Sequence, residues 1–222
     1  MTGTDLGVSY LEPGRTNRLI FLFGDSWTLN PGRHDQDSTA WTLPFVIPDR
    51  NKLPKLFWHE SGSEFAQIRI AGPETIDHGG MNVPVEGLAI NDRHYIFFTT
   101  GFDADVGEFG EYRYSALAHT EGLAPEFDHL TSDHVVESKK FINISAFVEG
   151  ETVWLFGSGP YRTSDVFLAK VSPPALLADR GAWQYYRAPD DFGPGEDTAQ
   201  PVVVAGCVGE LSVRPHPQLG YL

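Results

Sequence analysis

The amino-acid sequence predicts an all-β protein of the propeller class. Short runs rich in β-branched and aromatic residues recur along the 222 residues, and helix signals are scarce. Turn clusters such as Pro13-Gly14, Gly79-Gly80 and Gly193-Pro194-Gly195 separate these runs. The runs also repeat in pairs, which is typical of blades arranged around a central axis.

The individual elements follow from local pattern. Alternating or β-rich runs predict strands at 4–10, 18–24, 41–47, 66–70, 82–90, 94–100, 114–119, 141–148, 152–157, 165–171 and 183–187. Asn91-Asp92-Arg93 and Glu149-Gly150 each lie between two apolar runs, so both predict hairpin turns. Residues 174–179 predict a single helical turn that starts with proline and is too short to be a structural helix.

The repeat is carried by four stretches, at 5–8, 86–89, 143–146 and 210–213, which begin with Asp, Glu, Asn and Glu. The first three lead into second apolar runs at 19–24, 95–100 and 153–157. Equivalent strands of successive blades face the same axis, because side chains alternate and each blade keeps the same register. We therefore expect Asp5, Glu86 and Glu210 to point into one central funnel, with Asn143 beside them and Asp25 at its edge.

These repeats predict one propeller domain over residues 1–222. Blade one covers about 4–70, blade two 82–135 and blade three 140–190, and a fourth begins near 206 with a strand through Val213. A turn at 215–217 then precedes the end of the chain, so Leu222 is expected to fall inside a sheet. The predicted propeller is thus incomplete here, with an open edge that the rest of the fold or a second copy would cover.

The net charge of the chain indicates which classes of molecule are unfavourable binding partners. Lys and Arg total 16 against 30 Asp and Glu, a formal charge of −14, which opposes phosphate backbones and anionic lipid surfaces. Nucleic acid and membranes are therefore not expected partners, whereas a neutral glycan meets no such penalty. No charged start followed by an apolar stretch opens the sequence, so no signal peptide is expected in this chain, and no apolar segment reaches membrane-spanning length.

Two apolar runs predict buried side chains. The single cysteine, Cys207, lies in a run of valines and is expected to be a small buried residue, with no disulfide. Trp154 lies in Val153-Trp154-Leu155-Phe156 and is expected in the core.

Several motifs together resemble the domain of unknown function 4185 family. They are Thr4-Asp5-Leu6-Gly7, Phe23-Gly24-Asp25-Ser26-Trp27, Asn82-Val83-Pro84-Val85-Glu86-Gly87 and Gly209-Glu210-Leu211-Ser212-Val213. The resemblance covers most of the chain and implies a five-bladed propeller related to bacterial endo-D-arabinanases, glycoside hydrolases that cut the D-arabinan of mycobacterial cell walls. It implies that two aspartates, here Asp5 and Asp25, carry catalysis. It also implies a secreted or cell-envelope location.

The residues themselves are compatible with that chemistry. Glycoside hydrolysis needs one protonated carboxyl group to deliver a proton to the leaving oxygen and one ionised carboxylate to activate water or attack carbon. An antiparallel hairpin brings the start of its first strand, with Asp5, beside the end of its second, with Asp25. Gly24, Asp25 and Ser26 are also residue types that favour turns, so a purely structural role for Asp25 stays open.

The remaining candidates are assigned to substrate binding. Glu86 and Glu210 occupy the repeat position of Asp5, where an acid is costly unless it faces water or a partner, and a structural network of backbone amides is the alternative. Asn143 cannot act as an acid or base, which fits hydrogen bonding to substrate or scaffolding. Aromatic residues are candidates for sugar stacking at the rim, although aromatics are more often core: Trp27, Trp41, Trp58, Tyr112, Tyr114 and Tyr161. Trp27 is the best of these, and Arg162 lies at a blade end near the funnel or in an exposed loop.

No cofactor or metal site is predicted. Asp35-Gln36-Asp37 and Asp103-Ala104-Asp105 supply some oxygen ligands for calcium but not a full set. His129 and His134 have no cysteine or third histidine nearby for zinc. The leading hypothesis is a glycoside hydrolase that cleaves a furanose polymer; the alternative is a non-catalytic propeller that binds carbohydrate or protein.

Overall fold

The computed structural model of the protein describes residues 3–15, 18–27, 36–42, 55–61, 64–65, 68, 70–71, 82–106, 110–120, 127, 130–216, 218 and 220–221. The described part is all-β, with three single-turn 3-10 helices at Pro174–Leu176, Arg180–Ala182 and Glu196–Thr198. Within these residues no helix is long and apolar enough to cross a lipid bilayer.

The first sheet is an antiparallel meander of four strands. They are β1 (Gly3–Leu11), β2 (Leu19–Trp27), β3 (Gln36–Thr42) and β4 (Leu56–Trp58), in spatial order β1-β2-β3-β4. The β1–β2 ladder is regular from Leu11↔Leu19 to Gly7↔Phe23 and becomes irregular on either side of Asp5. The irregularity therefore lies at the end of the hairpin where the predicted carboxylates are found.

The second sheet has five strands. Two short strands, β5 (Glu60–Ser61) and β6 (Glu64–Phe65), first pair with each other. The sheet itself contains β7 (Ile70–Ala71), β8 (Val83–Ile90), β9 (Arg93–Thr100), β10 (Tyr114–His119) and β11 (Leu130–Glu137), in order β7-β11-β10-β9-β8. Strand β7 joins β11 in parallel.

The third sheet is again an antiparallel meander. It contains β12 (Asn143–Glu149), β13 (Thr152–Ser158), β14 (Ser164–Val171), β15 (Gln184–Ala188) and β16 (Asp191–Gly193), and β17 (Pro201–Val208) pairs with β14. Two short strands, β18 (Pro215–His216) and β19 (Gly220–Tyr221), pair with each other. Strand β13 shows the period-two pattern clearly: Val153 and Leu155 are buried, whereas Trp154 and Phe156 are half-buried.

The chain divides into two compact units. Unit 1 comprises residues 1–97 and 117–133, and unit 2 comprises residues 98–116 and 134–222. Unit 1 has a core that includes Ile20, Leu22, Val83, Ile96, Phe97, Leu117 and Leu130. Unit 2 has a core that includes Phe98, Phe141, Ile144, Val153, Leu155, Ala169, Leu177 and Trp183. Each unit therefore buries its own set of apolar side chains.

The predicted all-β class is confirmed, in the form of several antiparallel sheets. No sheet closes on itself within the described residues. The five-bladed propeller and the single domain with its blade boundaries remain predictions. Leu222 lies outside the described residues.

Four local expectations were wrong. Cys207 is exposed, because Gly206 has a φ of +63° and the β14–β17 register is shifted, so β17 bulges away from the sheet. Trp154 is half-buried, and its Nε1 donates to Glu149 Oε2 at 3.2 Å. Residues 209–214 form no strand; Val213 N instead donates to Ser145 Oγ at 2.9 Å. Pro215 and His216 form β18 where a turn was expected.

One buried histidine in unit 2 predicts a pH-dependent stability. Burial lowers the pKa of His134 to about 4, the hydrogen bond to the Ala178 carbonyl partly opposes this, and Arg180 adds to the lowering. The unfolded chain binds the proton near pH 6.5 and the folded chain does not until about pH 4. The stabilisation is thus complete above pH 6.5 and is lost as the pH falls towards 4, by roughly 3 kcal/mol in total.

Denaturant unfolding of the parent and the His134→Gln variant at pH 7.5 and pH 4.5 measures this contribution. At pH 7.5 the difference between the two proteins reports packing and the hydrogen bond to the Ala178 carbonyl, without a contribution from titration. The parent is expected to lose more unfolding free energy than the variant between the two pH values. Equal losses in both proteins would show that His134 does not titrate in this way.

Candidate functional site

The two predicted catalytic aspartates occupy the irregular end of the β1–β2 hairpin in unit 1. The backbone of Asp5 pairs with Gly24, the residue immediately before Asp25, and Gly3 pairs with Trp27. Register shifts flank Asp5 on both sides, and the β2–β3 ladder shifts between Phe23 and Ser26. Such bulges redirect side chains and are common beside active sites. Of Asp5 and Trp27, only the backbone is described.

Asp25 adopts a left-handed backbone conformation with φ of +45° and is half-buried. This conformation is uncommon for a residue other than glycine and costs about 1 kcal/mol or more. In a regular strand, neighbouring side chains point to opposite faces, and the positive φ of Asp25 breaks that alternation. The positive φ of Asp25 therefore marks an irregular backbone position near the end of β2.

A small polar network holds the strained turn. Thr4 Oγ1 donates to the Gly24 carbonyl at 3.2 Å and lies 2.7 Å from Ser26 Oγ. Ser26 is fully buried, and its hydroxyl also lies 3.5 Å from the Gly24 carbonyl. These contacts fix the peptide that carries Asp25. Thr4 and Ser26 lie in the sequence motifs but had no predicted role; the signal available was a polar Gly24-Asp25-Ser26 interruption of an apolar strand.

Glu86 lies on β8, which packs against β1 and β2 in unit 1. A β-carbon at Gly24 would lie 3.0 Å from Val83 Cγ1, and one at Gly87 would lie 2.2 Å from Tyr10 Cδ1. Glu86 is only 1% exposed, and its Oε1 accepts a hydrogen bond from Gly87 N at 2.9 Å. The structure therefore places Glu86 on a strand in tight contact with the hairpin of Asp5 and Asp25.

In unit 2, Asn143 begins β12 and pairs with Ser158 at the end of β13. Directly opposite residues of an antiparallel pair project from the same face. The Ser158 hydroxyl donates to the Gly209 carbonyl at 2.6 Å, so the residue before Glu210 lies on the side of the sheet shared by Asn143. The segment that carries Glu210 is thus bonded to the strand that pairs with Asn143.

Glu210 is exposed and interacts with Tyr161. Burial raises the pKa of the Tyr161 hydroxyl, and its hydrogen bond to Glu210 and the charge of Glu210 raise that pKa further, while Arg162 opposes the change. The Arg162 guanidinium lies 4.7 Å from the centre of the Tyr161 ring. Arg162 is exposed, as one of its two interpretations predicted.

The predicted site residues therefore fall into two groups. Asp5, Asp25 and Glu86 belong to unit 1, whereas Asn143 and Glu210 belong to unit 2. Within each unit, the strands or segments that carry these residues are in contact. A single funnel that contains all five remains a prediction, and the side chain of Trp27 lies outside the described residues.

The described residues contain no cluster of three or more His, Cys, Asp or Glu side chains arranged to hold a metal. Asp103, considered for calcium, accepts hydrogen bonds from Asp105 N at 3.1 Å and from Arg113 Nη2 at 2.7 Å. Asp35 lies outside the described residues, as does the side chain of Asp37.

Comparison with solved structures bears on the fold. A protein from Bacteroides ovatus with a provisional hydrolase designation matches with a TM-score of 0.59 at 12% identity, over 96% of this chain and 61% of that one. An α-L-arabinofuranosidase from Lactobacillus brevis matches with a TM-score of 0.43 at 12% identity, over 81% of this chain and 55% of that one, which is too weak to indicate a shared fold.

In sequence, no curated protein matches the chain. A family model does match, and it spans residues 1–222. This match agrees with the motifs around Asp5, Asp25, Glu86 and Glu210. The chain therefore belongs to the DUF4185 family, described as a domain of unknown function.

Proposed function

We propose that the protein is a glycoside hydrolase that cleaves a neutral furanose polymer of the arabinan type. Asp5 and Asp25 act as the pair of carboxyl groups, one as the acid and one as the base or nucleophile. The resemblance to endo-D-arabinanases supports this assignment, and the hydrolase designation of the Bacteroides ovatus protein agrees with it. The net charge of −14 also favours an uncharged substrate over an anionic one.

The observation that carries the proposal is the geometry of the β1–β2 hairpin. Asp5 pairs with the residue next to Asp25, so the two backbones lie a few ångströms apart, roughly 5–7 Å in an antiparallel ladder. Asp25 is held in a left-handed conformation by Thr4 and Ser26. Strained backbone residues that the surrounding structure maintains cluster at active sites and ligand clamps, which motivates the proposal.

The chemistry then requires the two carboxyl groups to differ in protonation. The protonated one donates its proton to the glycosidic oxygen as the bond to the anomeric carbon breaks. The ionised one either activates a water molecule or attacks the anomeric carbon, depending on the separation between the groups. Glu86, Asn143, Glu210 and Trp27 hold the sugar by hydrogen bonds and stacking.

We further propose that the three successive sheets are blades of a propeller that has five blades in its complete form. A repeated neighbour relation supports this arrangement. In unit 1, the Glu86 strand packs on the hairpin that begins the preceding sheet. In unit 2, the Glu210 segment is bonded to β12 and β13 through Ser145 and Ser158. Inner strands of consecutive blades are related in this way.

Incubation of the purified protein with D-arabinan and with other neutral glycans tests the function. Release of arabino-oligosaccharides of several lengths is the expected result for an endo-acting enzyme. Binding of arabinan without any released product would replace the proposal by a non-catalytic carbohydrate-binding function. If the protein neither binds nor cleaves any of the glycans, both the hydrolase function and a carbohydrate-binding function would be ruled out.

A further inference from the structure

A second polar cluster lies in unit 2, where the loop between β13 and β14 meets the segment after β17. The ring of Tyr161 packs directly on Gly209; a β-carbon there would approach Tyr161 Cε2 to 2.8 Å. Ser158 holds the same glycine through its carbonyl at 2.6 Å. The cluster is therefore tied to the sheet at a point where only glycine fits.

Tyr161 and Glu210 form a fixed donor–acceptor pair in this cluster. The Tyr161 hydroxyl is hydrogen-bonded to the Glu210 carboxylate, and its pKa is raised first by burial and then by Glu210, while Arg162 opposes the change. A carboxylate offers about four lone-pair positions, so the exposed Glu210 retains acceptor capacity beyond this bond. Tyr161 thus orients an acceptor that faces solvent.

Arg162 completes the exposed part of the cluster. Its φ of +57° lies in the left-handed region, where glycine is favoured and arginine is strained. Its guanidinium covers the Tyr161 ring at 4.7 Å. The positive charge of Arg162 offsets the negative charge of Glu210, so the cluster as a whole suits an uncharged, hydroxyl-rich ligand.

Asn143 adds a buried donor on the same side of the sheet. It is 3% exposed, and its Nδ2 has no hydrogen-bond partner within the part of the chain that the structure describes. A buried donor without a partner costs about 1–3 kcal/mol. Its pairing with Ser158, which is bonded to Gly209, directs it towards the segment of Glu210.

We propose that Tyr161, Arg162, Glu210 and Asn143 form a sugar-positioning subsite for a neutral polyhydroxylated ring. The inference rests on the proposed glycoside hydrolase function and extends it to Tyr161 and Arg162. Glu210 accepts hydrogen bonds from sugar hydroxyls, Tyr161 fixes its orientation, and Arg162 and Asn143 donate to hydroxyl oxygens. Tyr161 is a positioning residue, because it acts through Glu210.

Titration calorimetry with a D-arabinofuranosyl oligosaccharide, together with steady-state cleavage of D-arabinan, tests the subsite. The variants are Tyr161→Phe and Arg162→Gly. Tyr186→Phe on β15 is the matched control for loss of a hydroxyl. Asp190→Gly is the matched control for relief of a left-handed backbone, since Asp190 has a φ of +61°.

Tyr161→Phe is expected to weaken binding and raise KM about tenfold, with kcat within twofold of the parent, because it removes one oriented hydrogen bond. Arg162→Gly is expected to weaken binding similarly while leaving the melting temperature unchanged or higher. Both controls keep parental affinity. Cleavage and binding at parental levels in both test variants would overturn the subsite and leave the proposed function standing.

Binding without cleavage would separate the subsite from the hydrolase function. Oligosaccharide binding that depends on Tyr161, in a parent protein that releases no product, would support the subsite and overturn the hydrolase function. A parent that binds none of the oligosaccharides would overturn both.

Discussion

Replacement of Asp25 by asparagine is expected to reduce arabinan cleavage by about 10³-fold, because general acid or base catalysis contributes on that scale. Asparagine has nearly the same size as aspartate and tolerates the left-handed backbone, so the turn held by Thr4 and Ser26 should persist. Oligosaccharide release and the thermal unfolding midpoint of the same preparation measure the two effects. Asp5→Asn is expected to give the same loss of activity.

Asp190→Asn is the matched control for this experiment. Asp190 also has a left-handed backbone, with φ of +61°, but lies in the turn between β15 and β16 of unit 2. This control should keep parental activity and stability. Full activity in both Asp25→Asn and Asp5→Asn would make the catalytic assignment wrong, and Glu86 with Glu210 would become the pair to test.

The largest expected effect on stability comes from Gly159→Ala. A β-carbon at this position would lie 2.0 Å from the Lys139 carbonyl oxygen, well inside contact distance. That backbone cannot move easily, because Glu196 Oε1 accepts hydrogen bonds from Lys139 N at 2.8 Å and Lys140 N at 2.9 Å. We expect a loss of roughly 3 kcal/mol or more in the free energy of unfolding, in line with severe overpacking.

Gly150→Ala separates the steric clash from backbone strain. Gly150 has a φ of +60° in the hairpin turn between β12 and β13, and nothing lies within 4 Å of the position of an added β-carbon. Its substitution should cost about 1–2 kcal/mol from the left-handed conformation alone. Urea unfolding of the two variants gives the comparison. An equal or smaller loss for Gly159→Ala would mean that the segment at Lys139 relaxes freely.

Local pattern was sufficient to predict the regular strands. The period-two alternation of Val153, Trp154, Leu155 and Phe156 belongs to β13, and the turn at Glu149-Gly150 joins it to β12 as expected. The runs at 82–90, 94–100 and 114–119 likewise correspond to β8, β9 and β10. Alternation and turn chemistry act over a few residues, which is why a single sequence reveals them.

The errors arise where long-range contacts decide the outcome. The valine-rich run that contains Cys207 has the composition of a buried strand, but Asp165 Oδ1 accepts hydrogen bonds from Ala205 N and Gly206 N at 2.9 and 2.8 Å and stabilises a bulge. That carboxylate is some forty residues distant in sequence, so the local sequence around Cys207 does not predict the bulge. The irregular path of residues 209–214 has the same origin in the hydroxyls of Ser145 and Ser158.

The sequence offered candidate site residues but not their local geometry. From the repeat, Asp5, Glu86, Asn143 and Glu210 are predicted to be equivalent positions, and their role in a site stays a prediction. The left-handed φ of Asp25 depends on a bulge, and the contact of Tyr161 with Glu210 depends on how a loop packs. Neither feature can be predicted from the local sequence.

If the proposed function is right, Asp5 and Asp25 flank the bond that is cleaved. A crystal structure of the Asp25→Asn variant with an intact D-arabinan oligosaccharide shows where that bond lies. A glycosidic oxygen is expected within hydrogen-bond distance, about 3 Å, of the Asp5 carboxyl group or of the substituted side chain. An oligosaccharide bound with its glycosidic oxygens distant from both positions would contradict it.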